Sequence, residues 1–350
     1  MKKLLAVLLV VIGLTGAYLS WNVISFVNSP AQSEKVEHVF EVPPGTPFIK
    51  VAQGLEEMGL ISSAEKFKWY SKLIGQTTNI KIGEYLLHTQ MKPREILDVL
   101  ASGQSIAYSL TVPEGHNIFE IRDALNQVLP GRGDAFFKLA TDASYSQKLT
   151  GQNVSSLEGY LFPETYTLTK HTPIETLVRR MYEQFLRAID QAEKSAQVKM
   201  PRHDLVTLAS VIEKETGAPE ERPLIASVFH NRLKKGMRLE SDPTILYGIL
   251  VTTKEGKKNI SKEDIRAPTP YNTYTVRALP AGPISNPGLD ALIAAGNPAK
   301  SDYLFFVSRN DGTHVFTESY GQHTSAVKTF QLNKKMREGK SWRDLKKKKK

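Results

Sequence analysis

The sequence predicts an α+β protein with three parts in series: an N-terminal apolar helix, a small module over 37–107, and a larger mixed domain over 108–340. Three observations support this. A charge-free apolar stretch runs from Leu4 to Val27. A strand, a Pro/Gly turn and a helix recur as one unit around Val42-Pro43-Pro44-Gly45 and again around Val112-Pro113-Glu114-Gly115. From Leu205 onward, helical runs alternate with long loops rich in Pro, Gly and Asn.

The apolar stretch follows Met1-Lys2-Lys3 and can cross a hydrocarbon core of roughly 30 Å. Trp21 suits an interface, and the two lysines should stay cytoplasmic. A retained single-pass anchor (1–28) is expected in preference to a cleaved signal. The rest of the chain would lie outside the cytoplasm. A polar linker (29–36) follows.

In the module, His38–Val42 and Tyr85–His88 read as strands. Phe48, Val51, Ala52 and Leu55 mark a helix, as do Glu65–Ile74 and Pro93–Ser102. The second cassette pairs a strand at Tyr108–Val112 with a helix through Ile118, Ile121 and Leu125. Ser155–Tyr166 (SSLEGYLFPETY) carries two carboxylates, Glu158 and Glu164, among aromatics. Pro173–Gln197 reads as a scaffold helix.

Leu205, Leu208, Ala209 and Ile212 recur at i, i+3, i+4 and i+7, so an amphipathic helix is expected, with Asp204 as N-cap. Glu213 and Glu215 fall on opposite rims of its apolar face. A carboxyl on such a rim is partly desolvated, which favours the neutral form a general acid needs. Ser227–Arg232 continues as a second helix toward a turn at Gly236. Ser241-Asp242-Pro243-Thr244 offers the cap of a third. The loop Ala267–Gly288 (APTPYNTYTVRALPAGPISNPG) is too irregular for a helix. Leu289–Ala295 is a short helix, and Asn310-Asp311-Gly312 signals a hairpin between Tyr303–Ser308 and His314–Phe316.

Composition narrows the chemistry. The net charge is +10, and Lys346–Lys350 supply half of it. That tail (341–350) is expected to be disordered. No folded basic face interleaved with aromatics is evident, so nucleic acid is not an expected partner. There is no cysteine, and the histidines show no HExxH or other ligand spacing. Neither a metal nor a cofactor is expected, and P-loop and GxSxG patterns are absent. Carboxylate acid–base chemistry remains the best-supported class.

The run VIEKET, followed by SVFHNRLKKGMRLESDPTILYG, resembles the YceG-like (MltG) family of endolytic murein transglycosylases. EGYLFPETY, PYNTY with its Gly/Pro loop, and YLFFV…GTHVF extend the resemblance. Ala278 and Ala281 depart slightly from the family's loop. The resemblance implies a LysM-like fold for 37–107 and a catalytic domain over 108–340. It also implies cleavage of the MurNAc-β-1,4-GlcNAc bond to 1,6-anhydroMurNAc ends. It aligns Glu213 with the catalytic acid, a choice the helix geometry alone leaves open against Glu215. Glu158, Tyr160, Asn231, Arg232, Asp242, Thr244, Tyr247, Tyr271, Asn272, Tyr274 and Asn286 are the expected substrate contacts. Implied partners are peptidoglycan strands, the membrane through residues 4–27, and penicillin-binding synthases of elongation or division. Two other readings stay open: a two-carboxylate hydrolase using Glu158 or Glu164, and a non-enzymatic wall-binding scaffold.

Overall fold

The computed structural model describes residues 2–333; the lysine-rich tail lies outside them. The described chain forms two units. The first comprises residues up to Ser109 with Thr167–Pro173, and the second comprises Leu110–Tyr166 with Ile174 onward.

In the first unit α1 (Lys2–Asn28) leads into β1 (Glu37–Val42), α2 (Phe48–Glu57), α3 (Ala64–Leu73), β2 (Gly83–His88) and α4 (Pro93–Ser102). β1 and β2 pair antiparallel, with Phe40 opposite Tyr85 and Val39 opposite Leu86. Alternation sends Phe40, Val42, Tyr85 and Leu87 inward, where they meet Val51 and Leu55 of α2, Phe67 of α3 and Ile96 and Leu100 of α4. The buried Tyr85 hydroxyl donates to the Lys81 carbonyl at 2.7 Å. Residues Val7–Asn28 are long and apolar enough to cross a membrane. The last turn of α1 is different: Phe26 and Val27 are buried in the first unit's core. The polar linker that follows is tied to the module by hydrogen bonds. The Val36 amide donates to Thr89 Oγ1 at 2.9 Å, and Gln90 Nε2 donates to the Ser33 carbonyl at 2.7 Å.

β3 (Tyr108–Thr111) and β4 (Thr165–Leu168) form a second two-stranded sheet. The second unit is mostly helical. It contains α5 (Ile118–Val128), α6 (Arg132–Ala140), α7 (Ala143–Thr150), α8 (Ile174–Ser195) and α9 (Arg202–Glu215). A 3₁₀ turn at Pro219–Glu221 leads into α10 (Arg222–Lys234), α11 (Asp242–Thr253), α12 (Lys262–Arg266) and α13 (Leu289–Gly296). β5 (Phe305–Ser308) and β6 (His314–Thr317) make the expected hairpin, with Asn310 and Gly312 at positive φ. α14 (Tyr320–Val327) packs on it.

The second unit is built around α9. Every residue from Leu205 to Ile212 is buried, so the helix is enclosed on all sides rather than amphipathic. It packs on α10, α11 and α13. Its first turn also corrects the sequence reading. The helix begins at Arg202 behind Pro201, and Asp204 lies inside the first turn instead of capping it. There its charge complements the positive end of the helix dipole. Gly159, at φ +85°, lets the EGYLF segment cross α9, because a Cβ there would strike Pro283 and Val206.

Candidate active site

Glu213 and Glu215 end α9 in different environments. The Glu213 side chain is 7% exposed and fully engaged. Its Oε1 accepts from Arg222 Nη2 at 3.1 Å, and its Oε2 accepts from the Gly288 amide at 3.0 Å. Arg222 is itself buried, with Glu114 at 3.5 Å and Asp290 at 3.9 Å. Burial, and then the Glu213 charge, raise the Glu114 carboxyl above its usual range. Glu213 thus ties the end of α9 to α10 and to the loop before α13.

Glu215 instead opens on a cleft of about 240 Å³. It has one hydrogen bond from a side chain, donated by Ser241 Oγ at 2.6 Å. Burial pushes its carboxyl up to about 7, the nearby Asp242 charge adds to the rise, and the Ser241 bond opposes it. Ser241 was expected only to cap a helix, and its side chain makes no cap bond to α11.

The cleft is also lined by Arg232, Glu240, Asp242 and Tyr274, with Leu239, Phe306 and His323 supplying ring and apolar surface. Arg232 is buried and gives shape to this wall. It donates to the carbonyls of Leu304, Arg238 and Leu239 at 2.6, 3.0 and 3.1 Å, and meets Glu240 Oε2 at 2.9 Å. Glu240 sits at φ +53°, a left-handed conformation costly for a side chain with a Cβ. The Tyr274 hydroxyl donates to Asp242 Oδ1 at 2.8 Å. His323, which the sequence reading missed, stacks on Phe305 at 4.9 Å. Burial, and then the Arg232 charge, hold its imidazole below the usual range.

Arg232, Asp242 and Tyr274 therefore share the Glu215 cleft. Glu158, Tyr160 and Tyr271 border a separate cleft of about 270 Å³ with His203 and Pro283. The other expected contacts make internal hydrogen bonds, most of them to backbone groups that irregular segments leave unpaired. Asn286 is 0% exposed and saturated. Its Oδ1 accepts from the Gly159 and Leu161 amides, and its Nδ2 donates to the His116 carbonyl and to Glu158 Oε1. Asn272 Nδ2 donates to the carbonyls of Asp264, Ile265 and Ala267. Thr244 bonds Ser241 and Thr273, which fixes the start of α11 beside Glu215. Asn231 Nδ2 holds the Ser301 and Tyr303 carbonyls.

Glu158 is fully buried, and its Oε2 accepts from the Tyr247 hydroxyl at 2.8 Å and the Ile118 amide at 3.1 Å. Burial outweighs these bonds and pushes the carboxyl from 4.5 up to about 8. The folded state keeps this proton to about pH 8, whereas the unfolded chain releases it near 4.5. The stabilisation is complete below pH 4.5 and is lost as pH rises toward 8, at about 1.4 kcal/mol for each pH unit crossed. Glu158→Gln should flatten that decline, as read from urea midpoints across the range.

The YceG-like family profile matches residues 40–329. The chain belongs to the YceG-like family. A Bacillus subtilis (strain 168) member named endolytic murein transglycosylase is 32% identical over 305 residues, covering 83% of each chain. A Streptococcus pneumoniae (serotype 2, strain D39) member of the same name is 32% identical over 331 residues. That match covers 84% of this chain but only 58% of the pneumococcal one. The crystal structure of a YceG-like protein from Listeria monocytogenes, 32% identical, superposes with a TM-score of 0.57 over 83% of this chain and 99% of that one. The family profile extends across the residues that build the Glu215 cleft.

Proposed function

We propose that this chain is a peptidoglycan lytic transglycosylase, a lyase anchored in the membrane by α1, and that Glu215 is its general acid and then its base. The observation that carries the assignment to Glu215 is geometric. Its carboxyl, at the end of α9, lines a cleft, and burial pushes it up to about 7, within reach of neutral pH. The Glu213 carboxyl expected for the role is closed off by Arg222 and Gly288. Relatives named endolytic murein transglycosylases support the substrate class and the reaction.

In this mechanism the protonated Glu215 gives its proton to O4 of the leaving GlcNAc as the MurNAc C1–O4 bond breaks. The MurNAc 6-hydroxyl then attacks C1, and the C1–O6 bond closes the 1,6-anhydro ring. Its proton returns to the Glu215 carboxylate, so acid and electrons balance with no water consumed. Nucleophile and electrophile belong to one sugar, which confers a high effective molarity. Ser241 orients the carboxyl, and Tyr274 and Arg232 hold the opposing wall of the cleft. The first unit, taken as LysM-like, would contact glycan or hold the cleft away from the bilayer.

One observation favours a second reading. Glu240 and Asp242 share the cleft with Glu215, so a pair of carboxylates is present for hydrolysis. Glu164, considered earlier for that role, is exposed and does not border this cleft. Mass spectrometry of glycan strands digested by the purified chain separates the two. Anhydro ends, one water lighter than reducing ends, are the expected product, and reducing ends alone would assign the hydrolase.

A further inference from the structure

The first unit carries an apolar surface that its fold leaves uncovered. On α3, Phe67 and Ser71 face the core. On the opposite face, Trp69 is 59% exposed and Leu73 is 80% exposed, and they stand one turn apart. Ile74, just past the helix, is 44% exposed. Lys68 and Lys72 flank them in solvent, and the Lys72 ammonium lies 5.6 Å from the Trp69 ring. Trp and Leu beside lysines on one helix face are the composition of an interfacial helix.

The position of α3 relative to α1 indicates what would cover this face. Lys66, in the first turn of α3, sits over the Phe26 ring at the end of α1. Tyr70, one turn further along, packs on the same core cluster as Val23, one turn earlier in α1. The two helices pack on each other, so the exposed face of α3 belongs to a helix seated at the end of α1. Little slack exists between them. Phe26 and Val27 are embedded in the core, and the following segment is pinned to Thr89 and Gln90. A span of about 20 residues from Leu4 ends near Val23, so the unit would begin within the headgroup layer.

We propose that the outer face of α3 docks on an anionic lipid bilayer at the foot of the α1 span. Trp69 and Leu73 enter the interface, and Lys66, Lys68 and Lys72 meet lipid phosphates. This fixes the height and orientation of the first unit on the membrane. The inference rests on the reading of α1 as an anchor, and its test separates the two.

The full chain is reconstituted in bilayers of phosphatidylglycerol and phosphatidylcholine, with and without brominated acyl chains. One variant retains only Trp69 (Trp21→Phe, Trp342→Phe), and another retains only Trp21 (Trp69→Phe, Trp342→Phe). Brominated lipid should quench Trp69 by about twofold in the anionic bilayer, with the quenching largely relieved when Lys66, Lys68 and Lys72 are changed to Gln. A quenched Trp21 beside an unquenched Trp69 overturns the docking and leaves the anchor. If neither is quenched, both fail. Trp69 emission that responds to added glycan strands or to protein density, and not to brominated lipid, assigns the face to glycan or to a second copy and overturns the proposal.

Discussion

Replacing Glu215 with Gln should reduce strand cleavage by about three orders of magnitude while leaving the fold intact, because proton transfer by a positioned side chain contributes factors of 10² to 10⁴. Gln preserves the shape and can still accept the Ser241 hydrogen bond, but it has no proton to give to O4. The pH profile provides a second readout. In the proposed mechanism the first step needs the neutral acid, and burial pushes the Glu215 carboxyl up to about 7. Cleavage should therefore fall as pH rises through that value. Asp242→Asn removes a charge that raises the Glu215 carboxyl, so the alkaline limb should move to lower pH. Initial rates on purified glycan strands, with circular dichroism as the check on folding, give both results.

The largest expected effect on stability is at Arg222. Arg222→Met removes the cation facing Glu213, whose side chain is 7% exposed, and leaves that carboxyl only the Gly288 amide. Breaking one partner of a buried pair costs about 3–5 kcal/mol. At roughly 2–4 °C per kcal/mol for a unit of this size, the thermal midpoint should fall by about 10 °C. The double variant Glu213→Gln/Arg222→Met should recover much of that loss, since no uncompensated charge remains. Additive losses in the double variant would show that Arg222 acts through Glu114 or Asp290 instead. At low temperature the single variant should retain cleavage, because the proposed mechanism routes the proton through Glu215 and leaves Glu213 to hold the helix end.

Much of the fold was legible because its signals are local. The Val-Pro-Pro-Gly and Val-Pro-Glu-Gly turns, the hairpin at Asn310–Gly312 and the Pro at the start of α11 each depend on residues close in sequence. α6, α7 and α14 are only 8 or 9 residues long and offer too few turns for an apolar period to stand out. In α9 the spacing of Leu205, Leu208, Ala209 and Ile212 predicts an amphipathic helix, but it does not reveal that Thr207 and Ser210 are enclosed too. In the fold both are buried, and the Ser210 hydroxyl accepts from the Ile284 amide at 3.0 Å.

The site was harder to read, since what separates Glu213 from Glu215 lies elsewhere in the chain. A helical wheel places both on a rim. Gly288 and Arg222 close one off, and Ser241 and Asp242 face the other. The asparagines of the long loop illustrate the same limit. Asn272 and Asn286 have the chemistry of sugar ligands, yet a Pro-rich loop inside a compact unit leaves carbonyls and amides unpaired, and those are the groups they satisfy. His323 had no local signal, as only the packing of α14 on the hairpin brings it to the cleft.

The most direct measurement compares the cut strands themselves. Identical glycan strands are incubated with the unaltered chain, with Glu213→Gln and with Glu215→Gln, and the new ends are counted by mass. Anhydro ends from the first two, at a reduced rate for Glu213→Gln, and none from Glu215→Gln are the predicted result. Anhydro ends from a well-folded Glu215→Gln, alongside none from an equally well-folded Glu213→Gln, would contradict it.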